Sequence, residues 1–243
     1  MVTTPKDVGI LEPVSSRDEI LRTARLLMVP GDVHEVRIPK AGRLGTVSGY
    51  FENIEKLADA VMAIDGKVPG VYLTLNPVNP ALLARAANRL KDRATVTTAD
   101  HDIARRRWLL IDFDPKRPVE ISSTAQEHGQ AMTIALAAWD DLRGAGWGDP
   151  VIAGSGNGVH LLYRIDLEND RKAAELVKRL LAGVAAKCGS PNAEVDLTVF
   201  NAARITKLYG TMARKGDDVP DRPHRRSRLL EIPERLEPLE FAR

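Results

Sequence analysis

A single cysteine, Cys188, stands in 243 residues, so neither a disulfide framework nor a zinc site built from several thiolates is available. That scarcity fits a reducing, cytoplasmic setting. No apolar run approaches the roughly 18 residues needed to span a bilayer, and the amino terminus, MVTTPKDVGILEP, lacks the charged-then-apolar layout of a signal peptide. A membrane is not an expected partner. Net charge is also small: 35 Lys and Arg nearly cancel 33 Asp and Glu, so any polyanionic partner has to be read from local clusters. Internal repeats and low-complexity linkers are missing. With 44% hydrophobic content, what remains is a globular chain able to bury a real core, as one large domain or two interlocked lobes.

The hydrophobic spacing predicts an alternating α/β chain. Ser16 to Met28 has Ile20, Ala24 and Leu27 at helical spacing, with Ser15 or Ser16 as cap. Brief strands are expected at 33–38 and 45–50, a helix over 54–64, and a strand at 70–75. Asn79 followed by Pro80 predicts the start of another helix, running through ALLARAANRLKDR. Further on, a helix from Thr124 to Arg143 presents Met132, Leu136, Trp139 and Leu142 on one face. A strand at 150–153, the glycine-rich turn 154–158 and a strand at 159–165 predict a hairpin. A helix over 170–188, with Ala173, Leu176, Leu180 and Val184 inward, and strands in VDLTVF and RLLEI complete the chain.

Three stretches carry chemistry. The first is WLLIDFDPKR, Trp108 to Arg117, an apolar run of β-formers interrupted by two acids. Residues two apart on a strand share a face and lie about 6–7 Å apart. Asp112 and Asp114 therefore point one way and Ile111 and Phe113 the other. Two like charges on a buried strand are costly without a cation between them. Taken alone, the pair also fits a strand end meeting a loop. Arg105, Arg106 and Arg107 precede it, and from there one or two guanidinium groups are expected to reach phosphates near the acids.

The second is SGNGVH, Ser155 to His160. Small residues let backbone amides approach an anion, and the histidine stands just inside the next strand. No Lys-Ser or Lys-Thr follows and no helix opens there, which excludes a Walker A loop. The third is VDLTVFNAARITKLYGTMARK, Val195 to Lys215, where Asp196 is expected as a further strand-borne carboxylate. Between Ala203 and Arg228, eight Lys and Arg face three Asp, a local excess able to track a polyanion. Tyr209-Gly210-Thr211 reads as a turn that aims the tyrosine or as packing. Carboxylates and phosphates are hard oxygen ligands, so the implied cation is Mg²⁺ or Mn²⁺ and the implied chemistry is metal-assisted phosphoryl transfer.

In order, hhDhD, SGxGxH, and hD followed by NxARxxKxxGT, over Leu109 to Lys215, resemble the archaeo-eukaryotic primase superfamily. Within it, the primase-polymerases of phages, plasmids and other mobile elements are the nearest match. The resemblance implies an α/β (α+β) fold, with an amino-terminal α/β lobe over residues 1–95, a catalytic module related to the RNA-recognition fold over 96–243, and an active cleft between them. It implies that Asp112, Asp114 and Asp196 hold two metal ions, Mg²⁺ or Mn²⁺. Ser155, Asn157, His160, Arg204 and Lys207 would then contact the incoming nucleotide, and Arg105, Arg107, Arg214 and Lys215 the template.

The implied activity is DNA primase and polymerase synthesis of primers on single-stranded DNA from NTP or dNTP, with a replicative helicase in cis or in trans. Two other readings stay open: a catalytically inactive single-strand-binding replication module, and a metal-dependent nuclease. Two departures are visible. One cysteine cannot supply the zinc element that several relatives carry, and the chain ends soon after Ile232, as a fragment or a partner of a separate helicase would.

Overall fold

The computed structural model describes residues 14–188, 190 and 193–241. The thirteen amino-terminal residues, read above for a signal peptide, lie outside them. The elements run α1 Ser16–Leu27, β1 His34–Ile38, β2 Val47–Phe51, α2 Ile54–Met62, β3 Tyr72–Thr74, β4 Arg106–Pro115, α3 Ala125–Gly144, β5 Val151–Gly154, β6 Val159–Leu167, α4 Arg171–Cys188, β7 Ala193–Val195, β8 Ile205–Lys207, β9 Met212–Ala213, β10 Arg225–Arg226 and β11 Arg228–Glu231. No described helix is long and apolar enough to cross a membrane.

Among the described residues, two larger antiparallel sheets and a two-stranded β9–β10 ribbon make a mixed α/β fold. The five-stranded sheet has the order β11-β5-β6-β4-β7. Its β4-α3-β5-β6-α4-β7 run, with β6 antiparallel to both β4 and β5 and β7 antiparallel to β4, is a split βαβ of ferredoxin-like type. The expected sequence of strand, helix, hairpin, helix, strand holds. Thr124 caps α3 reciprocally with Glu127, each side chain accepting from the other residue's amide. The buried stripe of α3 is Ala131, Ala135, Ala138, Trp139 and Leu142, while Met132 and Leu136 are only partly buried. Small residues let this helix approach the sheet closely, and the larger ones fall on its shoulders. On α4 the inward residues are Ala173, Val177, Leu181 and Val184, so the face is turned relative to Leu176 and Leu180.

The four-stranded sheet has the order β2-β1-β3-β8. Its last strand, β8, comes from beyond residue 200 and pairs with β3. α1 also reaches across: Glu19 accepts from the amide of Leu229 in β11 at 2.5 Å, and Thr23 Oγ1 donates to the Tyr209 carbonyl at 3.2 Å. Residues from both sheets share the main apolar core. A boundary near residue 95 therefore does not separate self-contained bodies, because the first sheet is completed by the second half of the chain.

One predicted helix is absent. After a short 3₁₀ turn, Pro80–Arg85, capped by Asn79 as expected, the chain leaves helical geometry, with Asn88 and Arg93 at positive φ. It lies instead along β2: Tyr50 N donates to Ala86 O at 3.1 Å, and Ser48 and Lys91 exchange amide bonds at 3.0 and 2.9 Å. The outer edge of β2 offered unpaired backbone groups, and satisfying them outweighed helix propensity.

Candidate active site

β4 alternates as predicted, with Ile111 and Phe113 fully buried and Asp112 and Asp114 on the other face. Antiparallel pairing then sets their neighbours. Asp112 is opposite His160 on β6, and Asp114 is opposite Glu194 on β7. Beyond the end of β7 the ladder continues, since the Asp196 amide donates to the Asp112 carbonyl at 2.9 Å. Directly opposed residues share a face. Asp112 is thus flanked by an imidazole on one side and by Asp196 on the other, with Asp114 and Glu194 one pair further along.

Asp196 is not within a strand. It caps the 3₁₀ turn Leu197–Phe200, accepting from the Thr198 amide at 2.8 Å. VDLTVF therefore supplies only the end of a strand, because the capping carboxylate turns the chain at its second residue.

A cavity of about 620 Å³ is lined by Asp112, Asp114, Glu194, Asp196, Arg117 and Lys215, among others. A second, of about 250 Å³, shares Asp112, Asp114 and Lys215 and adds His160, Arg204 and Lys207. Ser155 and Asn157 line the second as well, as does Tyr72 of β3, so the acidic face of one sheet meets the β3–β8 edge of the other. Each acid has a partner. His160 Nε2 stands 3.4 Å from Asp112 Oδ1, Arg117 Nη1 2.8 Å from Asp114 Oδ1, and Lys116 Nζ 3.1 Å from Glu194 Oε1. Burial pushes the Asp112 carboxyl upward, but the facing His160, helped by Lys215 and Arg204, holds it below the usual carboxylate range. Burial raises the Tyr72 hydroxyl, and the negative charge of Asp112 and Asp114 adds to the effect.

His160 is oriented from behind. Its Nδ1 lies 2.7 Å from the Tyr209 hydroxyl, in a site where both side chains are almost wholly buried. Burial raises the Tyr209 hydroxyl well above its ordinary range, so it stays protonated. Gly210 aims the tyrosine: its φ is +99°, and a Cβ there would stand 2.8 Å from the Ile20 amide nitrogen. Lys207 is buried too. Its Nζ donates to the Met212 carbonyl at 2.7 Å and lies 5.3 Å from the Tyr72 ring centroid. Desolvation lowers its pKa to about 7.

The glycine-rich turn is the expected hairpin, but its small residues serve the protein itself. A Cβ on Gly158 would meet the Phe113 carbonyl oxygen at 2.4 Å, so the glycine lets the turn press against β4 beside Asp114. Ser155 Oγ closes the turn, accepting from the Gly158 amide at 3.0 Å. Asn157 Oδ1 accepts from the Ser123 amide at 2.9 Å.

Several expected cations are engaged elsewhere. Arg105 pairs with Asp166 and Glu168, and Arg107 with Asp32. Arg107 stands toward the opposite end of β4, five residues and so about 16 Å of strand from Asp112, with Arg105 just before the strand. Arg214 is tied to the Gly66 carbonyl. Within the basic excess, Arg222 pairs with Glu127 and Arg226 with Asp65, so much of it joins parts of the fold. Arg204 donates to Thr198 and Asn201 while still lining the cavity. Lys215 is exposed at the cavity edge.

The donor chemistry fits a hard divalent cation, since carboxylate oxygens on one sheet face line one cavity. Among the described residues, however, no three acidic, histidine or cysteine side chains converge as a ready-made metal cage. Sequence reasoning missed Glu194, Arg117 and the backing role of Tyr209. The first was detectable, because Glu194 and Asp196 repeat the period-two spacing of Asp112 and Asp114.

No family model matches this chain, and no curated protein matches it either. The chain is similar to the crystal structure of primase RepB'. The identity is 11% and the TM-score 0.49, over 89% of this chain and 56% of that one. This chain thus spans little more than half the length of that protein.

Proposed function

We propose that this chain is a nucleotidyltransferase of the primase-polymerase type, acting on single-stranded DNA with NTP or dNTP as substrate. The observation that carries this reading is the register: Asp112 lies between His160 and Asp196 on one sheet face, with Asp114 beside it, above a cavity edged by cations. Two Mg²⁺ or Mn²⁺ ions held by Asp112, Asp114 and Asp196 would supply Lewis-acid activation of a 3′-hydroxyl and charge neutralisation at phosphorus. The chain's own residues do the rest. Arg204, Lys207 and Lys215 give the triphosphate its cationic wall, and Lys207, poised near neutrality, gains charge when an anion arrives. Tyr209 fixes the His160 ring against Asp112. The hydroxyl oxygen bonds to the α-phosphorus and gives up its proton to solvent, the bond between the α-phosphorus and the β-bridging oxygen breaks, and pyrophosphate leaves. A helicase in cis or in trans would present the template.

Incubation with unprimed single-stranded DNA, nucleotides and Mn²⁺ is expected to give short products. Asp112→Ala/Asp114→Ala should lower synthesis by about a thousandfold or more, assayed well below the variant's own unfolding midpoint because Asp114 also pairs the nearly buried Arg117. Synthesis that persists in the double variant rejects this site.

The separate partners of the three acids favour one second reading, a single-strand-binding module without catalysis. DNA binding with no incorporation under any divalent metal would establish it. Shortening of the template instead would indicate a nuclease.

A further inference from the structure

Over much of the surface, arginines are matched by acids: Arg17 with Glu55 and Asp59, Arg105 with Asp166 and Glu168, Arg143 with Asp140. The outer edge of the four-stranded sheet differs. The segment from Ala86 to Ala94 is fixed along β2 by its backbone, from Tyr50 N to Ala86 O at 3.1 Å through to Ala94 N to Thr46 O at 2.8 Å. Its side chains are not fixed by ion pairs. Arg89, Lys91 and Arg93 are exposed, as is Arg43, whose 3₁₀ turn Gly42–Leu44 accepts the Arg93 amide at 2.9 Å. Among the described residues, none of these four cations has a carboxylate partner, and Asp92 is the one acid between residues 79 and 99.

Like charges mounted on a pinned backbone repel one another, a cost that a polyanion relieves. Beside them a recess of about 350 Å³ opens between the segment and β2, lined by Ser48, Tyr50, Arg85, Lys91, Thr95 and Val96. The recess mixes cations with apolar surface, and Val96 is 58% exposed, which suits a nucleotide better than an acidic peptide. The segment lies one spacing outside β2, and β2 and β8 are the two outer strands of one sheet, so four strand spacings, about 19 Å, separate these cations from β8, which lines the cavity.

We propose that this edge is a second nucleic-acid contact, gripping the phosphodiester backbone of the strand on which the cleft acts. The choice of nucleic acid among polyanions rests on the nucleotidyltransferase reading. Neutralising cations released from the strand make such a contact visible as a salt dependence.

The test is Arg43→Gln/Arg89→Gln/Lys91→Gln in the full chain, since these exposed side chains hold nothing in the fold. Binding of a labelled single-stranded oligonucleotide is followed by anisotropy between about 50 and 200 mM salt. The slope of log affinity against log salt is expected to fall by about two, at roughly 0.7 per lost phosphate contact. Arg143→Gln, a surface cation matched by Asp140 and remote in sequence from this edge, should keep the wild-type slope. An unchanged slope and affinity in the triple variant overturns the proposal, and so does a polyglutamate peptide that competes as well as the oligonucleotide. A fallen slope supports the contact even where no incorporation is seen, because incorporation tests the acids and not this edge.

Discussion

At its amino end β4 carries Arg106 and Arg107, with Arg105 just before it, and each has a partner: Arg105 has Asp166 and Glu168, Arg106 the Phe200 carbonyl, Arg107 Asp32. At its carboxyl end, Asp112 and Asp114 have His160 and Arg117 as partners, yet remain 24% and 47% exposed and face a cavity that three further carboxylates, Glu120, Glu194 and Asp196, line. One strand thus joins a closed electrostatic network to an open one. Closed networks hold a fold together, whereas like charges kept near one another around open space are held against their own repulsion and mark a place built to take something up.

Three changes would break or sharpen that contrast. The largest effect is expected at the closed end. Arg107→Ala strands Asp32, only 12% exposed, and should lower unfolding free energy by about 3 kcal/mol in urea titration, with incorporation retained well below the midpoint. Loss of incorporation at unchanged stability would instead bring Arg107 into the template path.

The next concerns Lys207, a buried cation at the open end. With its pKa lowered to about 7 against about 10.4 unfolded, the unfolded chain binds more protons between those values. Stability should therefore rise with pH across that window. Lys207→Met should flatten the rise and gain on wild type at pH values below it, measured as urea midpoints. Parallel curves for the two proteins would show Lys207 is solvated.

The smallest is Tyr209→Phe. Losing the hydroxyl on His160 Nδ1 should cost about 1 kcal/mol and move the ¹⁵N shift of that nitrogen. An unmoved shift would mean the ring is oriented by other groups.

Much of the fold is legible in the chain because local patterning carries it. Ile20, Ala24 and Leu27 are buried on α1 as their spacing requires, and Ser15 supplies its cap. The hairpin around Gly154 to Gly158 follows from turn chemistry. The failures have one origin. The stretch after Pro80 has helical propensity, yet a neighbouring strand edge claimed its backbone. Leu176 and Leu180 lost the inward face to Val177 and Leu181 because the sheet, not the helix, sets which side is covered. Arg222 and Arg226 look like a basic strip until Glu127 and Asp65 are brought beside them.

By itself the sequence determined the period-two acids, the turn beside them and the helices that bury the opposite face, since each depends on neighbours a few residues away. Only the tertiary structure decided that Asp112 would sit between His160 and Asp196, that Tyr209 would stand behind the imidazole, and that β8 would close the other sheet. Strand register and sheet order are agreements between distant segments, fixed by which buried faces and backbone edges satisfy one another, and no local pattern encodes them.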